Sequence, residues 1–372
     1  MESQGIGLFK TVVSVMMPLW RETNMRWFFA TAVALMLAQG AQAALPTYLF
    51  TDLGRCSDRP AINNSGRVAL TSPTGAVVWF AGQTTSVPLG TGSTGAVGIN
   101  SFGDVSGYYR SNRAAARING ATVDLSGYAT QASGIAINDN RSVLIQASSG
   151  QGTFLYRNGN AVALSGPQGR VYATGLNNSD HVVGLIQPSD GINFVACTWV
   201  NGSFTNITPP NVPSDTQGAA LGINDAGAIV GEYEIFHGMQ PWLRSASGQY
   251  TLLGQPPSND LVNPLDINSS NQVVGFYRQS AGGYRAVAWD GTVAVPLTAY
   301  VNQPGWVLEL ATGINDSGQI VGMGEFEGLT HAFLLTPVPA PASLCVFVLG
   351  ACAIGRRRRA GAGPSYTTSI ER

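Results

Sequence analysis

One short pattern recurs seven times between residues 61 and 322: AINNSGRVAL, GINSFGDVSG, AINDNRSVLI, GLNNSDHVVG, GINDAGAIVG, DINSSNQVVG and GINDSGQIVG. Each copy carries Ile or Leu, then Asn, then turn-forming residues, then a β-branched start to the next run. The recurring asparagines are Asn63, Asn100, Asn138, Asn177, Asn224, Asn268 and Asn315, spaced by 37, 38, 39, 47, 44 and 47 residues. Such self-similarity marks one supersecondary unit repeated along the chain, and it governs every local reading. The 294 residues from 44 to 337 divide into seven units averaging 42, the period of a four-stranded propeller blade.

Within a unit the strand-forming runs are short and punctuated by turns. In the first unit they cover 60–63, 67–72, 76–81 and 84–89, separated by Asn-Ser-Gly, Pro-Thr-Gly and Gly-Gln. This pattern predicts an antiparallel meander. The composition agrees: 46 Gly and 20 Pro suit many turns and few long helices. A second landmark falls on the third run, where Ala76, Ala114, Thr153, Ala196, Pro241, Ala286 and Ala332 recur. Three positions further on, Trp79, Tyr156, Trp199 and Trp289 supply rings large enough to fill the gap between sheets. The seventh unit ends after its third run, whereas an unmatched fourth run, residues 48–54, precedes the first. Pairing the two closes the ring and removes an open sheet edge. The predicted fold is therefore all-β: a seven-bladed propeller spanning 44–337, fastened by its N-terminal strand.

The flanking segments read as addresses. Met25-Arg26, the apolar run 27–38 and the small residues around 39–43 form a secretory signal within 1–43, cut after Ala43. Either Met1 or Met25 can be the true start. At the other end, Val338-Pro339-Ala340-Pro341 precedes an apolar stretch, 342–355, and four arginines, 356–359. Fourteen residues make about 21 Å of helix, short of the ~30 Å hydrocarbon core, and the arginines would hold the end on the cytoplasmic side. This segment, 338–359, resembles the PEP-CTERM sorting signal of Gram-negative bacteria. That resemblance implies transient inner-membrane anchoring by a transmembrane helix and processing near Pro339 and Pro341 by an exosortase. Two features depart from the family: Ala340 replaces the usual Glu, and residues 360–372 trail the arginines as a tail predicted to be disordered. An ordinary membrane anchor is the alternative.

GINDSGQIVG followed by His331-Ala332-Phe333-Leu334 resembles the HAF repeat of bacterial extracellular proteins, although only the last unit carries His-Ala-Phe itself. The resemblance implies secretion and a repeat fold and brings no catalytic residue set. The chain's own chemistry narrows the classes further. Its formal net charge is −1 and only 11% of residues are charged, so no basic field exists to hold nucleic acid. Its single lysine, Lys10, precedes the repeats, which excludes lysine Schiff-base chemistry and a phosphate-loop lysine there.

Candidate functional residues fall on loops between second and third strands, all on one face: Tyr108, Tyr109 and Arg110; Tyr233, Glu234 and Phe236; Tyr277, Arg278 and Tyr284; Glu325, Phe326 and Glu327. Tyrosines beside Arg or Glu suit sugar or protein surfaces, or else simply cover the blade tops. Glu232 with Glu234, and Glu325 with Glu327, are the clustered carboxylates available to a glycosidase pair. The repeated Asn is read as a turn residue bonding to backbone amides two positions on. Calcium loops are the weaker alternative, since each turn offers at most one Asp and calcium takes six to eight oxygens. His181, His237 and His331 lie in separate units without metal-ligand spacing, with His331 expected to pack at a strand start. Cys56 and Cys197 fall on opposite sides of the predicted ring and are expected to remain unbridged. No metal or cofactor is expected. The resulting expectation is an exported, surface-associated, non-catalytic component of an extracellular polysaccharide matrix. Its alternatives are a secreted polysaccharide-degrading enzyme on the same ring and a purely structural module.

Overall fold

The computed structural model describes residues 47–338, apart from 111, 149–151, 168, 190–192, 214–215, 236–237, 257–260, 281 and 302. Ala43, Pro339, Pro341, the predicted signal 1–43 and the predicted tail from 339 on lie outside the described residues. Among those described, no helix is long and apolar enough to cross a membrane; the one helical element is a single turn, Leu297–Ala299.

Seven four-stranded antiparallel sheets follow one another as the blades of a propeller. Blade 1 shows the pattern, with strands Ala61–Ile62, Val68–Ser72, Gly75–Phe80 and Gln83–Ser86 running from the axis outward. Blade 7 supplies only three strands of its own, Trp306–Ile314, Ile320–Phe326 and Leu329–Pro337. Its outer strand is Tyr48–Arg55, paired antiparallel with the third so that Phe50 faces Leu335 and Arg55 faces His331. The ring is closed as the unpaired fourth run predicts.

Hydrophobic contacts form one cluster at each junction between successive blades, seven in all. The recurring third-strand position is the tightest point of these walls: Ala76, Ala114, Ala196, Ala286 and Ala332 are at most 2% exposed. Trp199 and Trp289 fill the space beside it, and each anchors its indole N–H on a backbone carbonyl, Ser165 at 2.7 Å and Gly254 at 2.9 Å. Burying each large apolar side chain stabilises by ~1.5–3 kcal/mol, so cohesion comes from the walls between blades. Cys56 and Cys197 are free and buried, and no covalent staple links the described residues.

The glycine that ends most motif copies has a steric cause. Inner strands of blades 2 to 7 carry a β-bulge just before the Asn turn. A Cβ on Gly107, Gly184, Gly231, Gly275 or Gly322 would collide with a carbonyl oxygen of the bulged strand. Blade 3 has Ile145 at this position and places the glycine on the partner strand instead, as Gly134. One member of the pair must lack a side chain beside the bulge.

The repeated asparagines do more than shape turns. Each Oδ1 accepts the N–H of the residue four positions on, from Arg67 to Gln319, at 2.8–3.0 Å. Five also accept the N–H two positions on, at 3.0–3.1 Å, as the turn reading predicts. Each Nδ2 then donates to the backbone carbonyl of the next blade's Asn at 2.8–3.1 Å, and Asn315 returns to Asn63. Seven buried side chains thus form a closed circle of hydrogen bonds around the axis. Outside it, Asp139, Asn178, Asp225, Asp316 and Asn64 accept backbone N–H groups from neighbouring turns wherever that residue is Asp or Asn. The turn carboxylates considered for calcium are engaged in joining blades.

Candidate functional site

Antiparallel meanders send alternate loops to opposite ends of the ring. The second-to-third strand loops emerge at the end away from the Asn circle, as expected, but their predicted residues have unlike fates. Tyr109 donates from its hydroxyl to Asp124 at 3.0 Å, and Arg110, at φ +49°, donates to the Thr91 hydroxyl at 3.0 Å. Tyr108 donates to Asp58 at 2.6 Å; burial, helped by this bond, pushes its phenol up to about 12. Tyr233 packs into the wall between blades 4 and 5, and burial raises its phenol. Glu234, Glu325 and Glu327 are exposed, and Phe236 and His237 lie outside the described residues.

Tyr277 is a correction. It belongs to the strand Val273–Arg278, pairs with Arg285 and is 6% exposed in the wall between blades 5 and 6, so it does not sit on a loop. Nor do Tyr108 and Tyr109 on Val105–Tyr109, Tyr233 and Glu234 on Ile229–Ile235, Arg278 and Tyr284 on the two strands of the blade 6 hairpin, or Glu325 and Phe326 on Ile320–Phe326. That leaves Arg110 and Glu327 in the turns. Beside it Arg278 is exposed, and Tyr284 stands edge-on to Phe276 at 5.2 Å. On blade 7, Phe326 stacks on Trp306 at 5.3 Å. His331 meets both rings edge-on and hydrogen-bonds Asp52 of the closing strand at 3.1 Å, so it lies within a strand rather than at its start. The candidate residues are spread over blades 2, 5, 6 and 7 and form no single patch.

Sequence reasoning missed one convergence on that end. Glu309, on the bulged inner strand of blade 7, has its carboxyl raised first by burial and then by the negative charge of Glu325, with Arg285 of blade 6 opposing. Spacing gives no warning here, because the two carboxyls belong to neighbouring strands, where Val307 pairs with Glu325.

The axis holds a channel of about 270 Å³ lined by the seven inner strands. Bulge residues Val97, Ile135, Leu221 and Leu265 stand in its wall, and Thr174 and Thr312 donate their hydroxyls to carbonyls of the next blade at 2.7 Å. Asp266 is its one carboxylate, at a position where the other repeats have Gly or Ala. It accepts the N–H groups of Ile267 at 2.9 Å and Ile314 at 2.8 Å. Burial outweighs those bonds and pushes it up to about 6.

Glu232 is the other displaced carboxyl. Its counterparts in blades 1 and 3 bridge to the next blade: Thr71 accepts the Ala96 N–H, and Gln146 accepts the Ala173 N–H while donating to the Val171 carbonyl. In blade 6 the matching residue is Pro264, which has no N–H to give. Glu232 is 8% exposed, its Oε2 is buried without a hydrogen-bond partner, and burial pushes it up to about 8. It therefore does not face Glu234 as half of an open catalytic pair. Among the described residues, no three His, Cys, Asp or Glu side chains gather as metal ligands.

No family model matches the chain, and no curated protein matches it. Solved structures do. It is similar to a catalytically inactive form of virginiamycin B lyase from Staphylococcus aureus, solved with quinupristin, at TM-score 0.53 and 14% identity, over 78% of this chain and all of that one. A streptogramin B lyase matches at TM-score 0.50 and 12% identity, over 78% of this chain and 98% of the other. At such identities the likeness is one of fold, and folds of this kind host unrelated functions.

Proposed function

We propose that the protein is an exported, surface-associated propeller that binds, or helps to build, an extracellular polysaccharide matrix without catalysing a reaction. One observation carries the non-catalytic reading: the chemistry-bearing side chains at the hairpins between second and third strands are distributed over four blades, with aromatic faces and hydrogen-bonding groups displayed side by side. Export and surface retention, with an exosortase as processing partner, are supported by the signal at 1–43 and the tail at 338–359. The matrix assignment follows from the resemblance of that tail. Glycan-array binding without release of reducing sugar is the expected result, and recovery of the protein from the cell surface only when the sorting machinery is present tests the address. A chain that binds no glycan leaves the purely structural alternative.

The second reading, a polysaccharide-degrading enzyme, is favoured by the approach of Glu309 to Glu325 beside Arg285. It requires reducing-sugar release that Glu325→Gln abolishes.

A further inference from the structure

The seven repeats supply an internal control: what most copies share serves the scaffold, and a local departure calls for another cause. Two departures, Phe102 and Arg141, and an exposed arginine at a variable position meet on the end of the ring that carries the Asn turns, across blades 1 to 3. At the turn tip two residues after the Asn, the other six repeats have Ser, Asn or Ala, whereas blade 2 has Phe102, which is 61% exposed. At the next position four repeats have Gly, and Asp180 and Asn271 serve in two others, because the backbone is left-handed there; blade 3 has Arg141 at φ +61°. Its guanidinium lies 4.7 Å from the Phe102 ring centre and pairs with buried Asp104 at 2.9 Å. Four residues after the Asn, blade 1 has the exposed Arg67, lying 5.1 Å from the ring centre of Phe80 and alongside Gly103 of blade 2. Phe80 is itself 46% exposed. Rings and guanidinium groups thus alternate from one blade to the next. A cleft of about 320 Å³ opens beside Arg67 and Phe80, lined also by Val78, Gln83, Thr85, Val87 and Gly103; Phe102 is the chain neighbour of Gly103 at its edge, and Arg141 does not line it.

Arg141 serves the scaffold by pairing with buried Asp104, but neither Phe102 nor Arg67 is required by the core, since sibling turns fold with serine at the first position and with Gln, Ser or Ala at the second. Exposed ring faces offer stacking to the C–H faces of pyranose rings, Gln83 and Thr85 offer hydrogen bonds to hydroxyls, and Arg67, which has no carboxylate partner among the described residues, offers a charge-assisted bond to an anion. The nearby carboxylates are already engaged: Asp104 holds Arg141, and Asp139 accepts from Ser101 and Asn178. We infer that this face, opposite the tyrosine-bearing hairpins, is a binding groove for a carboxylated polysaccharide. The inference rests on the matrix reading above and names both the class of sugar and the place where it is held.

Titration calorimetry of the full chain with a galacturonate oligomer and with a neutral glucan oligomer of equal length tests it. The expected result is binding of the acidic oligomer alone, weakened by salt, and lowered about 5-fold by Phe102→Ser and by Arg67→Gln. Both replacements occur at the same position in sibling repeats, so melting temperatures should match the parent. Failure of the parent to bind the acidic oligomer overturns the inference, as does equal binding of the neutral one. Binding that both variants retain overturns this groove while leaving a glycan-binding protein; silence against a whole glycan array sinks the matrix reading as well.

Discussion

Replacing Glu232 with Gln should stabilise the protein at neutral pH, by an amount that the wall between blades 5 and 6 fixes. In the unfolded chain this carboxyl ionises near its ordinary value of 4.5; in the folded ring burial pushes it up to about 8, with Pro264 withholding the donor that the sibling positions enjoy. Holding the proton at pH 7 against that ordinary value costs about 1.4 kcal/mol per pH unit over some 2.5 units, or roughly 3 kcal/mol. The sign follows from the raised value: the contribution is fully favourable below pH 4.5 and is lost as pH climbs through about 8. Gln never ionises, and its amide can donate toward blade 6 as Gln146 does toward the Val171 carbonyl of blade 4. Urea midpoints measured at pH 4.5, 6 and 7.5 should therefore coincide for the two proteins at the lowest pH and separate steadily above it, up to roughly 3 kcal/mol in favour of Glu232→Gln. Parallel curves, or a variant weaker at pH 7.5, would refute the reasoning and imply a cation or water network serving the carboxylate.

Two further changes probe the scaffold. Asn224→Asp keeps an acceptor for the Ala228 N–H but replaces the donor to the Asn268 carbonyl with a buried charge; unfolding should become easier by about 2–3 kcal/mol at pH 7, whereas a solvated turn residue would change it by less than about 0.5 kcal/mol. Deleting the closing strand Tyr48–Arg55 strips an eight-residue strand from blade 7 and uncovers Phe333 and Leu335; sedimentation should show association through the exposed edge, and a monomer with unaltered melting would contradict the closure.

Much of this architecture was legible because repetition converts weak local signals into a strong periodic one. The blade count, the third-strand alanines and the closing role of residues 48–54 follow from aligning the chain with itself. The circle of asparagine amides did not, since a turn signature reports what the side-chain oxygen does locally and is silent about the carbonyl that the nitrogen meets some forty residues away. The candidate site was less legible. Tyr277, like Tyr109 in blade 2, looks like a loop residue because it stands at the hairpin end of its strand, and Glu309 meets Glu325 only through the pairing of two neighbouring strands. Glu232 is intelligible only beside Pro264, a partner in another repeat. Phe102 and Arg141 were in plain view as departures from the motif, but their meeting depends on neighbouring turns lying side by side.

Six of the seven asparagine links join repeats that are adjacent in sequence, but the last spans 252 residues, from Asn315 back to Asn63. A nascent chain can order its early blades one upon another, yet it cannot fasten the hoop until its far end arrives. Fragments cut anywhere within the ring inherit two raw flanks, and cutting in a different loop relocates that defect without curing it.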